Sequence, residues 1–252
     1  MNILAITQAR MGSTRLPGKI LKKIGDLSLL EIHIKRLLKS TRINNFILAT
    51  TTSTDDDPIV DFASAHNVNF FRGSVQDVLD RFYQASKESR PDWVIRFTSD
   101  CPLVDPALAD DIVDFCLDNG LDYCTNGSST FPDGTDVEVI RFSALEEAWN
   151  KADLLSEREH VTPYIIKRSS IEGKDQFKAA KFTCGKDWSD VRITIDNEED
   201  FLVMQKLVTD YGINEGWEFY AQKYYDDKLN LINGFISRNE GYFKSVENDK
   251  KL

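Results

Sequence analysis

The residues best placed to do chemistry stand at the start of the chain. An apolar run, Ile3-Leu4-Ala5-Ile6, opens into Gln8-Ala9-Arg10-Met11-Gly12-Ser13-Thr14-Arg15-Leu16-Pro17-Gly18-Lys19. A short strand that empties into glycines, hydroxyls, two arginines and a lysine is suited to surround a polyanion with backbone N–H groups and fixed positive charge. The ligand implied is a nucleoside triphosphate. A Walker loop would read Gly-x-x-x-x-Gly-Lys-Ser/Thr, whereas here five residues separate Gly12 from Gly18 and Ile20 follows Lys19. The Gly-x-Gly-x-x-Gly of a dinucleotide fold is also missing. The competing reading is an ordinary basic connection between strand and helix. Against it stand the cations Arg10, Arg15 and Lys19, with no acid among them, in a chain of net charge −10.

A triphosphate is usually handled with Mg²⁺, which takes one or two carboxylates plus phosphate oxygens and water. Asp100 and Asp196 each stand just past an apolar run, so two strand ends could bring one carboxylate apiece to the same rim. Each could instead cap a helix; Asp196 precedes Asn197-Glu198-Glu199-Asp200, an acidic run suited to a helix start. Asp55-Asp56-Asp57, with Pro58 directly after, reads as an acidic helix N-terminus rather than a metal motif. Asp77, Asp80 and Arg81 could reach a nucleoside, or Asp77 and Arg81 could form an i,i+4 helix pair. His160 sits beside Glu159, but neighbours on a helix point apart, and a capped or partly buried histidine is favoured over a general base.

The elements that must position these groups alternate. Residues 3–6, 46–50, 68–71 and 93–97 read as buried strands, and residues 27–38, 58–65 and 75–85 as amphipathic helices. That alternation predicts an α/β fold with a mostly parallel central sheet flanked by helices. Ligands of such sheets bind beyond the carboxyl ends of the strands, which are the loops holding residues 10–19, 51–57 and 98–102. The second half is less regular: strands at 136–142, 177–183 and 191–195, helices at 144–151, 156–168 and 198–211, and helical, tyrosine-rich sequence from 219 onward. Tyr220, Tyr224 and Tyr225 read as core or subunit interface. No repeat or linker divides the chain, so residues 1–252 are expected to be a single domain, with 237–252 a polar tail.

Composition excludes several classes. The chain's pI is near 4.9, which argues against a nucleic-acid binder. Cys101, Cys116, Cys124 and Cys184 have neither zinc nor disulfide-framework spacing and read as reduced thiols. No apolar run is long enough to cross a membrane and no cleavable leader is evident, so a cytoplasmic protein is expected.

The opening loop resembles the Ala-Arg-x-Gly-Ser-x-Arg-x-Pro-Gly-Lys signature of bacterial sugar cytidylyltransferases, the group that includes CMP-KDO and CMP-nonulosonate synthetases, and above all its spore-coat polysaccharide type. Four further stretches carry the likeness: Phe71-Arg72-Gly73-Ser74 with residues 77–81, residues 96–103, Asp133-Gly134-Thr135-Asp136-Val137-Glu138-Val139, and Glu157-Arg158-Glu159-His160-Val161-Thr162-Pro163-Tyr164. The resemblance implies a GT-A-like nucleotidyltransferase fold. It also implies transfer of CMP from CTP to a sugar hydroxyl, the sugar being acidic, with release of pyrophosphate. It places Arg10, Gly12, Ser13, Arg15, Lys19, Asp77 and Arg81 at the nucleotide, with Arg10, Lys19 and Asp100 catalytic. Asp100 and Asp196 become ligands of Mg²⁺, with Mn²⁺ as a substitute. Thr98, Asp133, Asp136, Glu138 and Glu159 fall on the acceptor side, within a stretch 120–190 that supplies it, although Pro132-Asp133-Gly134 also suits a plain turn. A homodimer is implied as well. KDO-activating enzymes read Gln-Gly-Asp where this chain has Thr98-Ser99-Asp100, which sets a KDO acceptor in doubt. The alternatives are a GT-A glycosyltransferase, whose usual Asp-x-Asp is absent at Asp100-Cys101-Pro102, and a nucleotide-binding module without catalysis.

Overall fold

A computed structural model describes residues 1–13 and 15–249. Its strands are β1 (Ile3–Gln8), β2 (Lys23–Ile24), β3 (Leu27–Ser28), β4 (Asn45–Thr51), β5 (Phe70–Gly73), β6 (Trp93–Thr98), β7 (Tyr123–Thr125), β8 (Glu138–Arg141) and β9 (Ala179–Lys181). Its α-helices are α1 (Leu29–Leu37), α2 (Asp57–Ala65), α3 (Val78–Ser86), α4 (Pro106–Asp118), α5 (Phe142–Lys151), α6 (Leu155–His160), α7 (Pro163–Lys167), α8 (Glu198–Tyr211), α9 (Trp217–Asp226), α10 (Asn230–Asn233) and α11 (Glu240–Asp249).

Among the described residues the central sheet has seven strands in the order β5-β4-β1-β6-β8-β7-β9. β1 runs parallel to both β4 and β6, β4 parallel to β5, and β7 parallel to β9, while β8 runs antiparallel to β6 and β7. β1 is apolar nearly throughout because both of its faces are covered. Alternation divides it: Ile3 and Ala5 pack with Leu30, Ile34, Ile59 and Leu108 on one side, and Leu4 and Ile6 with Leu79, Phe82, Leu145 and Ile165 on the other. From β1 the chain builds outward through β4 to β5 and then returns to lay β6 on β1's opposite edge. The β1/β6 boundary is therefore a topological switch point, where a crevice opens beyond the strand ends.

A third apolar cluster closes that end of the molecule. Leu16 of the first loop packs with Leu103, Ile193, Ile195, Met204 and Tyr220, tying the loop to the segment that precedes Asp196. Tyr220 and Tyr224 are fully buried in it, as core residues.

Some elements differ from the expectation for physical reasons. Residues 191–195 form no strand: they make a single bridge, Asp133 to Arg192, because Val191, Ile193 and Ile195 are buried in the third cluster rather than in the sheet. The helix expected over 156–168 breaks into α6 and α7 at Val161, whose φ is 72°, just ahead of Pro163, which cannot continue a helix. The helix expected from residue 75 begins at Val78, because the Asp77 side chain accepts the Asp80 N–H at 2.8 Å and sets the cap there. α4 and β7 lie in sequence assigned to no element. The 237–252 stretch, read as a polar tail, carries α11, which packs on α6 and whose Asp249 accepts the Ser156 N–H at 3.0 Å; residues 250–252 lie outside the described residues.

Candidate active site

The loop after β1 is held open rather than collapsed. Asp56, buried at the entry to α2, accepts the Met11 N–H at 2.7 Å and the Thr51 hydroxyl, while Gly18 N–H donates to Met11 O at 3.2 Å. This second strand-end loop thus fixes the first. A cleft of about 590 Å³ lies above β1 and β6, lined by Gln8 at the end of β1 and by Arg10, Gly12, Ser13, Arg15 and Lys19 that follow it. Thr98 and Asp100 line it from the β6 end, Asp196 from the segment before α8, Gln76 and Arg81 from the start of α3, and Arg158, Glu159 and His160 from α6.

At its floor Lys19 Nζ lies 3.0 Å from Asp196 Oδ1 and 3.4 Å from Asp100 Oδ2, and donates to the Ile195 carbonyl at 2.6 Å. Arg15 reaches the same Asp196 oxygen at 3.2 Å. Burial opposes charge on Lys19, but Asp100 and Asp196 outweigh it and hold the ammonium's pKa above its ordinary value. Burial likewise opposes ionisation of Asp100, yet Lys19 and the Thr98 hydroxyl hold that carboxyl below the usual range. Asp196 is not the cap of α8. Asn197 takes that position, and the Asp200 carboxylate accepts the N–H groups of Asp196 and Asn197 at 2.9 and 3.1 Å, which leaves the Asp196 side chain free to face the cleft.

Arg10 is exposed, and among the described residues it makes no hydrogen bond or ion pair. Arg81 is buried beside it with Nε unpartnered, its Nη1 donating to Ser74 O at 2.6 Å; burial and then Arg10 lower its pKa to about 10. The two guanidiniums repel each other, and the charges of Asp56 and Asp77 oppose the lowering only in part. Gln8, at the last position of β1, adds a buried side-chain carbonyl with no partner in the cleft wall. Nothing in its sequence context marks it out; its register beside Thr98 and Ala49 does.

The remaining expectations divide. Thr98 and Glu159 line the cleft, whereas Asp77, Asp133, Asp136 and Glu138 do not. Asp77 does not pair with Arg81: it grips Arg158 at 2.5 and 2.9 Å, so it positions a lining residue. Glu138 is tied to Arg96, to the Tyr123 hydroxyl at 2.6 Å and to the Thr162 hydroxyl at 2.5 Å. Asp136 pairs with Arg238 at 2.8 Å. Asp133 pairs with Arg192 at 2.7 Å, and burial followed by the Asp136 charge pushes its carboxyl up to about 7. Arg192 also holds Asp200 through Nε and Nη2, both at 2.8 Å, and touches Asp196 at 3.4 Å. The turn at 133–136 thus serves as a buttress beneath Asp196. Its Gly134, at φ 105°, packs so close that a Cβ would meet the backbone of Ile193 and Thr194 at 2.5 Å. His160 and Glu159 do meet, with Nε2 and Oε2 3.8 Å apart, because α6 ends at His160.

A family model described as cytidylyltransferase matches residues 4–227. The chain belongs to that family. An uncharacterized protein of Methanocaldococcus jannaschii is 40% identical over 207 residues, covering 82% of this chain and 83% of its own. The spore coat polysaccharide biosynthesis protein SpsF of Bacillus subtilis is 33% identical over 224 residues, covering 84% and 88%. The solved structure of a cytidylyltransferase from Leptospira borgpetersenii superposes with a TM-score of 0.86 at 32% identity, over 94% of this chain and all of that one. The mostly parallel sheet of this cytidylyltransferase and the crevice at its switch point are thus those of a nucleotidyltransferase fold.

The donor set of this cytidylyltransferase suits a hard divalent cation. Asp100 and Asp196 offer carboxylate oxygens to one shared ammonium in the cleft. Among the described residues no three His, Cys, Asp or Glu side chains converge on a metal position, so phosphate oxygens and water would complete the shell. No helix of the structure is long and apolar enough to cross a membrane.

Proposed function

We propose that this cytidylyltransferase transfers CMP from CTP to a hydroxyl of an acidic sugar, releasing pyrophosphate, and that the product feeds a surface polysaccharide. The observation that carries this reading is the convergence of Lys19, Arg15, Asp100 and Asp196 at one end of a cleft whose other walls hold Arg10, Arg81 and Glu159. The name of the Bacillus relative supports the polysaccharide assignment; the acidic sugar rests on the resemblance of the motifs.

In this reading Arg10, Lys19 and the N–H groups around Gly12 and Ser13 hold the triphosphate, and Asp100 and Asp196 hold Mg²⁺. The ion supplies neutralisation of charge on the phosphate oxygens. Lys19 and Arg15 are already charged and fixed where negative charge grows on the departing pyrophosphate, so little reorganisation remains for the reaction itself. Asp56, Arg192 and the turn at 133–136 keep the loop and Asp196 in register, and position accounts for much of the rate. No covalent enzyme intermediate is needed. Gln8 offers an acceptor to an N–H or O–H of the nucleoside. The chain works as one nucleotidyltransferase domain in the cytoplasm, as a homodimer.

The test is incubation with CTP, Mg²⁺ and a panel of sugar acids and neutral sugars, reading pyrophosphate and the CMP-sugar by mass. Pyrophosphate with a CMP-sugar supports the reading. Consumption of a nucleotide sugar instead marks a glycosyltransferase, and CTP binding without turnover on any sugar marks a binding module.

A further inference from the structure

The last helix contacts two residues that line the cleft. Ser245 of α11 donates its hydroxyl hydrogen to Glu159 Oε2, and His160 Nε2 lies 3.1 Å from Ser245 Oγ. A serine hydroxyl carries one hydrogen. With that hydrogen given to Glu159, the contact to His160 is an Nε2–H donating to Ser245 Oγ, and Nδ1 is left as the lone-pair nitrogen. Among the described residues Nδ1 has no hydrogen-bond partner, and His160 lines the cleft.

We propose that Glu159, Ser245 and His160 form a proton relay in which His160 Nδ1 accepts the proton of the attacking sugar hydroxyl. This rests on the cytidylyltransferase reading above. The sugar oxygen bonds to the α-phosphorus, and the bond from that phosphorus to the α,β-bridging oxygen breaks, its electron pair leaving with pyrophosphate. The hydroxyl proton passes to Nδ1. The resulting imidazolium keeps its Nε2–H on Ser245, with the Glu159 carboxylate 3.8 Å from Nε2 to balance the charge. His160 is the catalytic residue of the relay; Glu159 and Ser245 are positioning residues.

The surroundings favour the neutral ring before the reaction. Burial is the main influence and lowers the pKa of His160; Arg96 of β6 acts in the same direction, while Glu159, Glu138 of β8 and Asp249 of α11 oppose it. The Tyr242 ring packs edge-on at 5.2 Å. Ser245 lies beyond residue 227, where the family match ends, and contacts two residues of this wall, Glu159 and His160.

The test is ¹⁵N NMR of histidine-labelled full-length protein without ligand, with His160 assigned by loss of its signals in His160→Gln. The relay requires Nε2–H with a bare Nδ1 in the wild type, a mixture of tautomers in Ser245→Ala, and recovery of the wild-type pattern in Ser245→Thr. In turnover, His160→Gln should lower kcat by about 10²- to 10⁴-fold with CTP affinity retained, and Ser245→Ala by about tenfold, with the acid limb of its pH profile displaced. CTP affinity in each variant reports that it has folded. A wild-type Nδ1–H tautomer, a Ser245→Ala spectrum identical to wild type, or His160→Gln with wild-type kcat would overturn the relay. Failure of the wild type to release pyrophosphate from CTP with any sugar would overturn the underlying activity instead, and the NMR reading stands apart from that result.

Discussion

Lys19 Nζ stands 3.0 Å from Asp196 Oδ1 and 3.4 Å from Asp100 Oδ2, so one ammonium joins two carboxylates brought together from the end of β6 and from the segment before α8. This contact brings the loop after β1 and the two carboxylates to one point.

Replacing Lys19 with Ala should therefore lower CTP turnover by about 10²- to 10³-fold, the scale of losing a fixed group aimed at transition-state charge. Its partners keep water access, so the fold should survive. Arg10→Ala, which removes a cation paired with nothing among the described residues, should weaken CTP binding by about tenfold with no loss of stability. Steady-state kinetics with thermal denaturation check both. A variant that loses stability but keeps turnover would make the loop a structural element.

Asp100→Asn and Asp196→Asn should each cut Mg²⁺-dependent turnover by at least about 10²-fold, because a neutral amide does not offset the charge of the ion. Mn²⁺ binding to the ligand-free protein, read by its paramagnetic resonance, should weaken in both. Asp196→Asn with full turnover would remove it from the metal site.

Gly134→Ala should destabilise the chain by about 3 kcal/mol or more, the upper end of the cost of strained backbone, since its positive φ and the close backbone of Ile193 and Thr194 both exclude a Cβ. Because the same contact seats the segment leading to Asp196, the Mg²⁺ concentration for half-maximal rate should rise as well. Urea unfolding and a metal titration read the two effects; a stable variant with wild-type metal response would contradict the buttress.

The acid side of stability should carry the signature of His33. Its ring bridges Thr7 Oγ1 and Cys101 O, both at 2.9 Å, and burial lowers its pKa from 6.5 to about 4. The unfolded chain therefore takes up this proton first as pH falls. The contribution is complete above pH 6.5 and is lost on descending to 4, a change on the order of 3 kcal/mol. The difference in unfolding free energy between wild type and His33→Gln, measured from pH 7.5 to 4, isolates this group. A constant difference would contradict it.

Legibility in the sequence followed how local the signal was. The parallel half of the sheet could be read because β1, β4 and β6 are largely buried and each carries a run of at least three consecutive apolar residues, and α8 was legible from its period and its acidic start. Arg10 and Asp100 reach the cleft because they stand two residues past the ends of β1 and β6, and Lys19 because the loop after β1 folds back over the strand ends. Pairings made across the fold left no such trace. Asp133 and Asp136 look like sugar ligands until Arg192 and Arg238, far along the chain, neutralise them. Asp56 looks like an ordinary helix start until Met11 is found on it. Ser245 sits in a polar stretch whose role depends on where α11 docks.

The most direct test of the central claim is initial-rate pyrophosphate release with CTP, UTP, GTP and ATP at matched Mg²⁺, each with the sugar that gives the best turnover. Uracil replaces the 4-amino donor of cytosine with an acceptor, and a buried partner left unpaired is strongly rejecting. CTP should exceed each of the others in kcat/KM by at least about tenfold, with no release when Mg²⁺ is chelated. Equal or faster release with UTP or GTP, or release unaffected by chelation, would contradict the account.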